Sequence, residues 1–405
     1  MLSQMNPGYS AFFILPAIIL AFGVAGAQPL QHASPQKMGL DPVRMLAVDS
    51  LINDAIDSGV APGAVLAVVR EDLLVYRRAY GMMQREPEMR AMHTNTIFDL
   101  ASLTKPLATG VAIMKLVESG HIRLTDPVSK YVPEFAHYGG MKPPLREQPR
   151  IIHLLTHTSG LPSYVPVRQL QKLYGPEAAD SLMTWLCTLP ARTEPGAQFT
   201  YSCPSFITLQ QVIEAVTGTD LATWTRRHIY EALGMHETFF LPDAALLDRI
   251  APTHFSVDEG VIAGVVHDPL ARVVMGGISG NAGLFSTADD LAIFAAMMLN
   301  DGAVNGRRLL APATVRTMTS ASHEFESFGR ALGWDVRSSF ASNRGDLFGP
   351  KTYGHTGYTG TSMILDPDTR TAVILLTNRV YPDDSTSVVD LRAKVANVVA
   401  ASILE

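Results

Sequence analysis

Ser102 and Lys105 stand three residues apart in the sequence Ser-Leu-Thr-Lys, a spacing that can bring a hydroxyl and an amine together. Apolar residues recur with helical period from Leu103 to Val117, which predicts a helix with Ser102 as its N-cap. Residues three apart on a helix share a face. A serine becomes a nucleophile when a base takes its proton, and a lysine serves if burial or a nearby cation lowers its pKa.

The same pattern occurs a second time, at Ser34 and Lys37, where Pro35 interrupts it and no helical pattern follows. We interpret that copy as part of a solvated linker. The motif alone therefore leaves two interpretations of Ser102. It is either a nucleophile with its base, or an ordinary helix N-cap with a surface lysine one turn later.

A tyrosine further along the chain suits the same chemistry. Tyr201 and Ser202 follow a turn and precede a predicted helix. A phenol on such a loop can relay a proton to or from a serine, provided that neighbouring positive charge favours the phenolate. The alternative is a partly buried core tyrosine.

A third segment, His355, Thr356 and Gly357, precedes a predicted strand and is rich in glycine. Glycines let a substrate backbone approach closely, and an edge strand can bind an extended peptide or acyl group by β-augmentation. The backbone N–H of Tyr358 can then join that of Ser102 as an oxyanion hole. The alternative is a glycine-rich bulge.

The elements that must position these residues follow from periodicity and turn residues. Apolar patterns at both ends of the chain predict helices and strands, and those in the middle predict mainly helices. The predicted helices are 41–58, 151–155, 182–189, 206–216, 221–233, 288–299 and 388–404, and the predicted strands are 64–69, 73–80, 362–365 and 372–377.

This order predicts an α/β (α+β) fold, in which one antiparallel sheet is flanked by N- and C-terminal helices and carries a large, mainly helical inserted subdomain. Residues 28–40 are a predicted linker and 41–404 a single domain. Its α/β part covers about 41–100 and 330–404, and the helical insert covers about 101–329. We expect the active site in the seam between the two parts.

Composition excludes some functions and suggests a compartment. The chain has 405 residues, 47% of them hydrophobic, and a net charge of −6 without a basic block, so nucleic acid is not an expected partner. An apolar run over residues 11–27 ends in an A-x-A-like site, which predicts a signal peptide over 1–27 and a periplasmic or secreted protein. No charged side chain precedes Lys37, so an uncleaved membrane anchor is the alternative.

Cysteines and histidines give little sign of a metal or cofactor. Cys187 and Cys203 can pair after export, although Cys187 lies in an apolar stretch and fits a core position. His153 and His157 are four apart, but Thr-Ser-Gly follows at once, so the pair straddles a helix end. We favour structural roles for both histidines and predict no metal and no cofactor.

Taken together, these motifs resemble the penicillin-recognising serine hydrolases. The closest likeness is to the branch that contains class C β-lactamases, D,D-carboxypeptidases, D-aminopeptidases and β-lactamase-fold esterases, and it covers roughly residues 40–404. Supporting phrases occur at residues 98–102, 154–161 and 280–287. The resemblance implies the β-lactamase/transpeptidase-like fold.

The resemblance also implies roles. Ser102 would be the acylated nucleophile, Lys105 its proton acceptor or electrostatic partner, and Tyr201 the general base or acid shared with that lysine. The substrate strand would be lined by the third motif and its neighbour: His355, Thr356, Gly357 and Tyr358. Which of Lys105 and Tyr201 takes the serine proton stays open.

Two positions depart from the family pattern. Cys203 replaces the asparagine of Y-x-N, and a thiol is a poor substitute for an amide that both donates and accepts. His355 replaces the lysine of K-T-G, and histidine titrates near neutrality, so carboxylate recognition is expected to be weaker or pH-dependent.

The predicted function is an exported serine hydrolase that cleaves an amide or ester through an acyl-enzyme. Its partner would be a small-molecule or peptide substrate, such as a cell-wall peptide from peptidoglycan, a small ester or a β-lactam. A non-hydrolytic penicillin-binding or peptide-sensing protein is the alternative.

Overall fold

The computed structural model describes residues 29–139, 145–339 and 341–404. The predicted signal peptide over 1–27 lies outside the described residues. Within the described ranges, no helix is both long enough and apolar enough to cross a membrane.

The main sheet is antiparallel and is built from both ends of the chain, as predicted. The strands are β1 Gly63–Arg70, β2 Leu73–Gln84, β3 Arg90–Ala91, β4 Phe98–Asp99, β5 Phe239–Phe240, β6 His254–Ser256, β7 Gly260–Ile262, β8 Leu284–Ser286, β9 Ala303–Val304, β10 Arg307–Arg308, β11 Tyr353–Thr356, β12 Ser362–Asp366 and β13 Thr371–Thr377. The order in the main sheet is β11-β12-β13-β1-β2-β3, and the first hairpin, β1–β2, is the predicted one. Strand β4 pairs with β8, which pairs with β5, in a separate small sheet.

The helices confirm the predicted mainly helical middle region. They are α1 Pro42–Met45, α2 Ala47–Asp57, α3 Val111–Glu118, α4 Ile151–Leu155, α5 Val167–Tyr174, α6 Ala178–Thr188, α7 Cys203–Thr217, α8 Leu221–Thr225, α9 Glu231–Leu233, α10 Ala288–Leu299, α11 Pro312–Thr319 and α12 Val389–Ser402. The 3₁₀ segments are Pro35–Met38, Ala101–Leu103, Val128–Lys130, Pro133–His137, Gly175–Glu177, Ala244–Arg249, His323–Phe328 and Ala341–Arg344. The π-helical segments are Lys105–Gly110, Arg226–Tyr230 and Leu270–Val274.

Side chains of the central strand β1 alternate between two hydrophobic cores. Val65 and Val69 face the larger core, which includes α10, whereas Leu66 and Val68 face a smaller core closed by α2 and α12. Because alternate residues of a strand point to opposite faces, a sheet covered on both faces needs an almost unbroken apolar strand. Each fully buried aliphatic side chain contributes about 1.5–3 kcal/mol to the stability of the folded protein. The sheet is thus a rigid layer whose edge strand, β11, carries the His355 segment.

The prediction that Ser102 caps a helix is wrong. Ser102 lies inside the 3₁₀ turn Ala101–Leu103, and the chain then continues through the π-helical segment Lys105–Gly110 before α3 begins. Pro106 has no backbone N–H and so cannot donate in the first turns, where wider hydrogen-bond spacing replaces the α-helical pattern. Ser102 and Lys105 nevertheless remain neighbours.

The predicted linker and domain boundaries stay a prediction. Residues 29–40 do carry buried side chains, since Leu30 and Leu40 belong to the two hydrophobic cores.

Candidate active site

The three motif segments meet at one cavity of about 370 Å³ beside β11. Six of the sequence-predicted site residues line it: Ser102, Tyr201, His355, Thr356, Gly357 and Tyr358. The other two are buried: Lys105 contacts Ser102, and Cys203 contacts Lys105. The fold therefore brings together all eight residues from three distant parts of the sequence.

The backbone turn that contains Ser102 is strained, and hydrogen bonds from neighbouring side chains hold it in this conformation. Ala101, just before Ser102, has φ of +46°, a conformation that residues with a side chain seldom adopt. The buried Asp99 accepts a hydrogen bond from Ala101 N–H at 2.8 Å, and Thr104 donates its hydroxyl to the Ala101 carbonyl at 2.7 Å. Such strain persists only where surrounding contacts impose it, and it is common at active sites.

Asp99 is a positioning residue that the sequence analysis missed. Its second carboxylate oxygen accepts the His267 N–H at 2.7 Å, so the side chain joins the nucleophile turn to a loop more than 160 positions away in the sequence. Burial raises the pKa of Asp99 to about 6, although both backbone hydrogen bonds oppose that shift. The phrase Phe-Asp-Leu-Ala-Ser marks the place in the sequence, but only the tertiary contact shows the role.

Lys105 contacts the serine directly. Its Nζ donates to Ser102 Oγ at 3.1 Å and to the Asn281 carbonyl at 2.9 Å, and it lies 3.7 Å from Cys203 Sγ. Burial opposes the charge, but interactions with Cys203 and Tyr201 outweigh it, and the pKa of Lys105 is raised above its ordinary value. The lowered pKa that a lysine base would need is therefore not found.

Tyr201 completes the group from the loop before α7. Its half-buried ring has Lys105 Nζ 4.9 Å from its centroid, a cation–π contact. The ring also lies 4.5 Å from the His157 ring and 6.1 Å from the His355 ring, between centroids. The phenol is thus placed among the cationic and polar side chains that its predicted role requires.

The turn after β11 is locked onto the nucleophile turn. Thr359 donates its hydroxyl to the Asp99 carbonyl at 2.7 Å, and Thr361 donates to the Leu100 carbonyl at 3.1 Å. A Cβ on Gly357 would meet the Leu100 carbonyl oxygen at 2.3 Å, so no larger residue fits there. Gly357 is therefore required for the close approach of the two turns.

Strand β11 is an edge strand of the main sheet, but part of its outer side is occupied. Gly354 and Asp335 exchange two backbone hydrogen bonds of 2.9 Å. Any β-augmentation by a substrate is thus confined to the stretch that begins at Thr356.

His355 does not behave as predicted. Its Nδ1 lies 3.0 Å from the N–H and 2.9 Å from the carbonyl oxygen of Thr356, and its Nε2 has no hydrogen-bond partner among the described atoms. Burial, with added repulsion from Arg330 and Lys105, lowers the pKa of His355 well below its ordinary value. The expected titration near neutrality is therefore wrong, and His355 stays neutral.

Arg330 is a further residue that the sequence analysis missed. It is 1% exposed and lines the cavity; one guanidinium nitrogen bonds Asp335 at 2.9 Å, and its plane lies over the Phe199 ring. Its Nε and other terminal nitrogen have no partner among the described atoms. The sequence gives only a weak indication that Arg330 is buried: this charged residue directly precedes the apolar run Ala-Leu-Gly-Trp.

The two cysteines do not pair. Both thiols are free, Cys203 buried at the start of α7 and Cys187 half-buried in α6. Burial raises the pKa of each thiol, so both are protonated near neutrality. His267 stacks on Tyr358, which lines the cavity, with ring centroids 5.7 Å apart.

Comparison with known proteins decides the family. Residues 48–397 match the family described as Beta-lactamase. The chain belongs to the β-lactamase family. This membership and the mixed fold confirm the resemblance inferred from the motifs, and they indicate a hydrolase in general terms.

Relatives and solved structures agree with that assignment. A Salmonella agona protein is 33% identical over 399 residues and a Salmonella paratyphi B protein is 34% identical over 400, each match covering 91% of both chains. Both carry the provisional name D-alanyl-D-alanine carboxypeptidase. Two solved structures share the fold: EstCE1, a hydrolase with promiscuous acyltransferase activity (24% identity, TM-score 0.71, 88% of this chain and 99% of that one), and a penicillin-binding protein homologue from Caulobacter crescentus (19%, 0.70, 90% and 99%).

Proposed function

We propose that this β-lactamase-family protein hydrolyses an amide or ester through an acyl-enzyme on Ser102. The observation that carries the proposal is the 3.1 Å contact between Lys105 Nζ and Ser102 Oγ, at a cavity that Tyr201 also lines. A hydroxyl, a cation and a phenol in one cleft are the parts that nucleophilic acyl transfer needs.

In the proposed reaction, Ser102 Oγ attacks the carbonyl carbon while its proton passes to Tyr201. Tyr201 accepts this proton as a phenolate and becomes a neutral phenol; Lys105 stays an ammonium, as its raised pKa favours, and stabilises the phenolate before the transfer. Tyr201 then returns the proton to the leaving amine or alcohol when the scissile bond breaks. In the second half, water attacks the ester and regenerates the serine hydroxyl.

The negative charge on the carbonyl oxygen needs donors during both attacks. We assign this role to the backbone N–H groups of Ser102 and Tyr358, because both residues line the same cavity. The hydrogen bonds that Thr359 and Thr361 make between the two turns support the assignment, because they fix the position of one turn relative to the other.

A substrate that bears a carboxylate suits the cavity better than a neutral ester. Four arginines line it, Arg330, Arg344, Arg379 and Arg392, whereas Asp335 is the one acidic lining residue among those that the structure describes; Arg379 is already paired with Asp384. Peptides with a free C-terminus carry such a group. Peptidoglycan peptides would share a compartment with the enzyme if residues 1–27 direct export, as we also propose.

The substitution Arg330→Gln tests this substrate class. We expect kcat/KM for a peptide ending in D-Ala-D-Ala to fall about 10–100-fold, because a carboxylate loses a charged hydrogen bond, while p-nitrophenyl acetate hydrolysis changes little. Arg330→Lys should recover part of the loss. Because His355 stays neutral, the ratio of peptide to ester hydrolysis should show no step at the ordinary histidine pKa of 6.5.

The control for that experiment is Arg316→Gln, an exposed arginine on α11. Its effect on either substrate is expected to stay within about twofold. Equal losses on the peptide and on the neutral ester in Arg330→Gln would show that the guanidinium has only a structural role.

A substrate panel tests the function as a whole. Purified protein is incubated with a D-Ala-D-Ala peptide, p-nitrophenyl acetate and nitrocefin, and turnover is counted per enzyme molecule. Multiple turnovers of one of them support the proposal. The alternative, a non-hydrolytic penicillin-binding or peptide-sensing protein, is motivated by the Cys203 thiol in place of an amide, and it predicts a stable penicillin adduct without product release.

A further inference from the structure

His157 holds the chain on both sides of Tyr201. Its carbonyl accepts the Thr200 N–H at 2.9 Å, and its Nδ1 accepts the Ser202 N–H at 3.0 Å. The catalytic candidate Tyr201 therefore lies between two backbone groups that are both fixed by one residue.

The His157 ring adds a third contact. Its centroid lies 4.5 Å from the Tyr201 ring, at an interplanar angle of 33°, and 5.0 Å from the Phe206 ring. Aromatic pairs at this separation have preferred relative orientations. The ring thus restrains the direction of the phenol as well as the path of its backbone.

The backbone of His157 is itself unusual. Its φ of +59° places it in the left-handed region just beyond α4, at a site that is only 1% exposed. Residues other than glycine are uncommon there, and asparagine, aspartate and histidine are the most frequent of them. This conformation directs the carbonyl and the ring of the same residue toward one loop.

The charge state of His157 is consistent with a permanent hydrogen bond to the Ser202 N–H. Because Nδ1 accepts a hydrogen bond, the neutral ring carries its proton on Nε2, which has no partner among the described atoms. Burial, with added repulsion from Arg330, Lys105 and His355, lowers the pKa of His157 well below its ordinary value. Protonation would remove the acceptor, so the neutral form is the one that can hold Ser202.

We propose that His157 is a positioning residue that fixes the Tyr201 phenol relative to Ser102 and Lys105. This inference rests on the proposed role of Tyr201 in the reaction. The His157 ring need not touch the substrate, and it does not exchange protons during turnover.

Two substitutions separate the acceptor from the ring. In His157→Asn, a short side-chain oxygen can still accept the Ser202 N–H, and asparagine tolerates the left-handed backbone. In His157→Phe, the ring remains but the acceptor is lost. We expect kcat to fall about 10²-fold in the phenylalanine variant, with KM little changed, and to recover partly in the asparagine variant.

His153 is the matched control. It is also fully buried, lies one helical turn earlier, and accepts a backbone N–H, that of Arg150, on Nδ1 at 3.1 Å. Its ring packs edge-on against Phe325 and makes no contact with Tyr201 among the described contacts. His153→Asn and His153→Phe should lower thermal stability while leaving kcat per active site near the wild-type value.

The readouts are kcat and its pH profile, each normalised to active sites titrated with a fluorophosphonate probe, and the melting temperature. Support is a displaced pH profile and lower kcat in His157→Phe, with recovery in His157→Asn and no such change in either His153 variant. An unchanged kcat and pH profile in His157→Phe would overturn the inference. Losses of kcat that only parallel a decrease in melting temperature would also overturn the inference. If Tyr201→Phe is fully active, the proposed role of Tyr201 in the reaction fails, and that outcome is separate from any His157 result.

Discussion

Replacing Ser102 with alanine is expected to lower kcat/KM by at least about 10³-fold, because no acyl-enzyme can form. Alanine removes one oxygen from a turn whose shape is imposed by Asp99 and Thr104, so the fold should persist. Steady-state hydrolysis of the best substrate in the panel gives the measurement. Circular dichroism confirms that the variant is folded.

The chain supplies a matched control for this substitution. Ser34 heads the second copy of the four-residue pattern, and its hydroxyl caps the segment Pro35–Met38 by accepting the Lys37 N–H. Ser34→Ala should hydrolyse the substrate at the wild-type rate. Equal turnover by wild type and Ser102→Ala would remove Ser102 from the mechanism.

Replacing Lys105 with methionine is expected to lower kcat about 10²–10⁴-fold, the range for loss of general-base catalysis, because Tyr201 needs the ammonium beside it to act as the base. Methionine has a similar length but no donor, so both Ser102 Oγ and the Asn281 carbonyl lose a hydrogen bond. The phenolate on Tyr201 would also lose its nearby cation. Single-turnover kinetics should place the loss in acylation.

Lys115 offers the control for the lysine. It lies on α3, is partly buried, and donates its Nζ to the Leu309 carbonyl at 3.1 Å, so Lys115→Met also removes a donor from a carbonyl. We expect a change in stability but not in kcat. Should Lys105→Met keep an acylation rate close to that of wild type, the lysine would be structural only.

Much of the fold follows from local sequence patterns. The β-rich runs 64–69 and 73–80 and the turn residues between the last strands predict the hairpins. The first run is apolar throughout because β1 is covered on both faces. The helix at 288–299 is observed over the predicted range as Ala288–Leu299. The start of the Ser102 helix is different, since Pro106 changes the hydrogen-bond pattern of its first turns.

The site was only partly predictable, for a physical reason. Residue types and order identify Ser102, Tyr201 and His355 as members of one constellation, but their charge states depend on burial and on distant neighbours. Asp99 and Arg330 act through contacts with parts of the chain that no local pattern connects. The sequence therefore identifies which residues form the site, whereas tertiary packing determines the protonation state of each.

The most direct test is to find where an acylating probe attaches. Wild-type protein is incubated with a penicillin or a fluorophosphonate, its intact mass is measured, and the modified peptide is mapped. The account predicts one adduct, on Ser102, that is absent from Ser102→Ala and slower to form in Lys105→Met. An adduct on another residue, or equal labelling of Ser102→Ala, would contradict it.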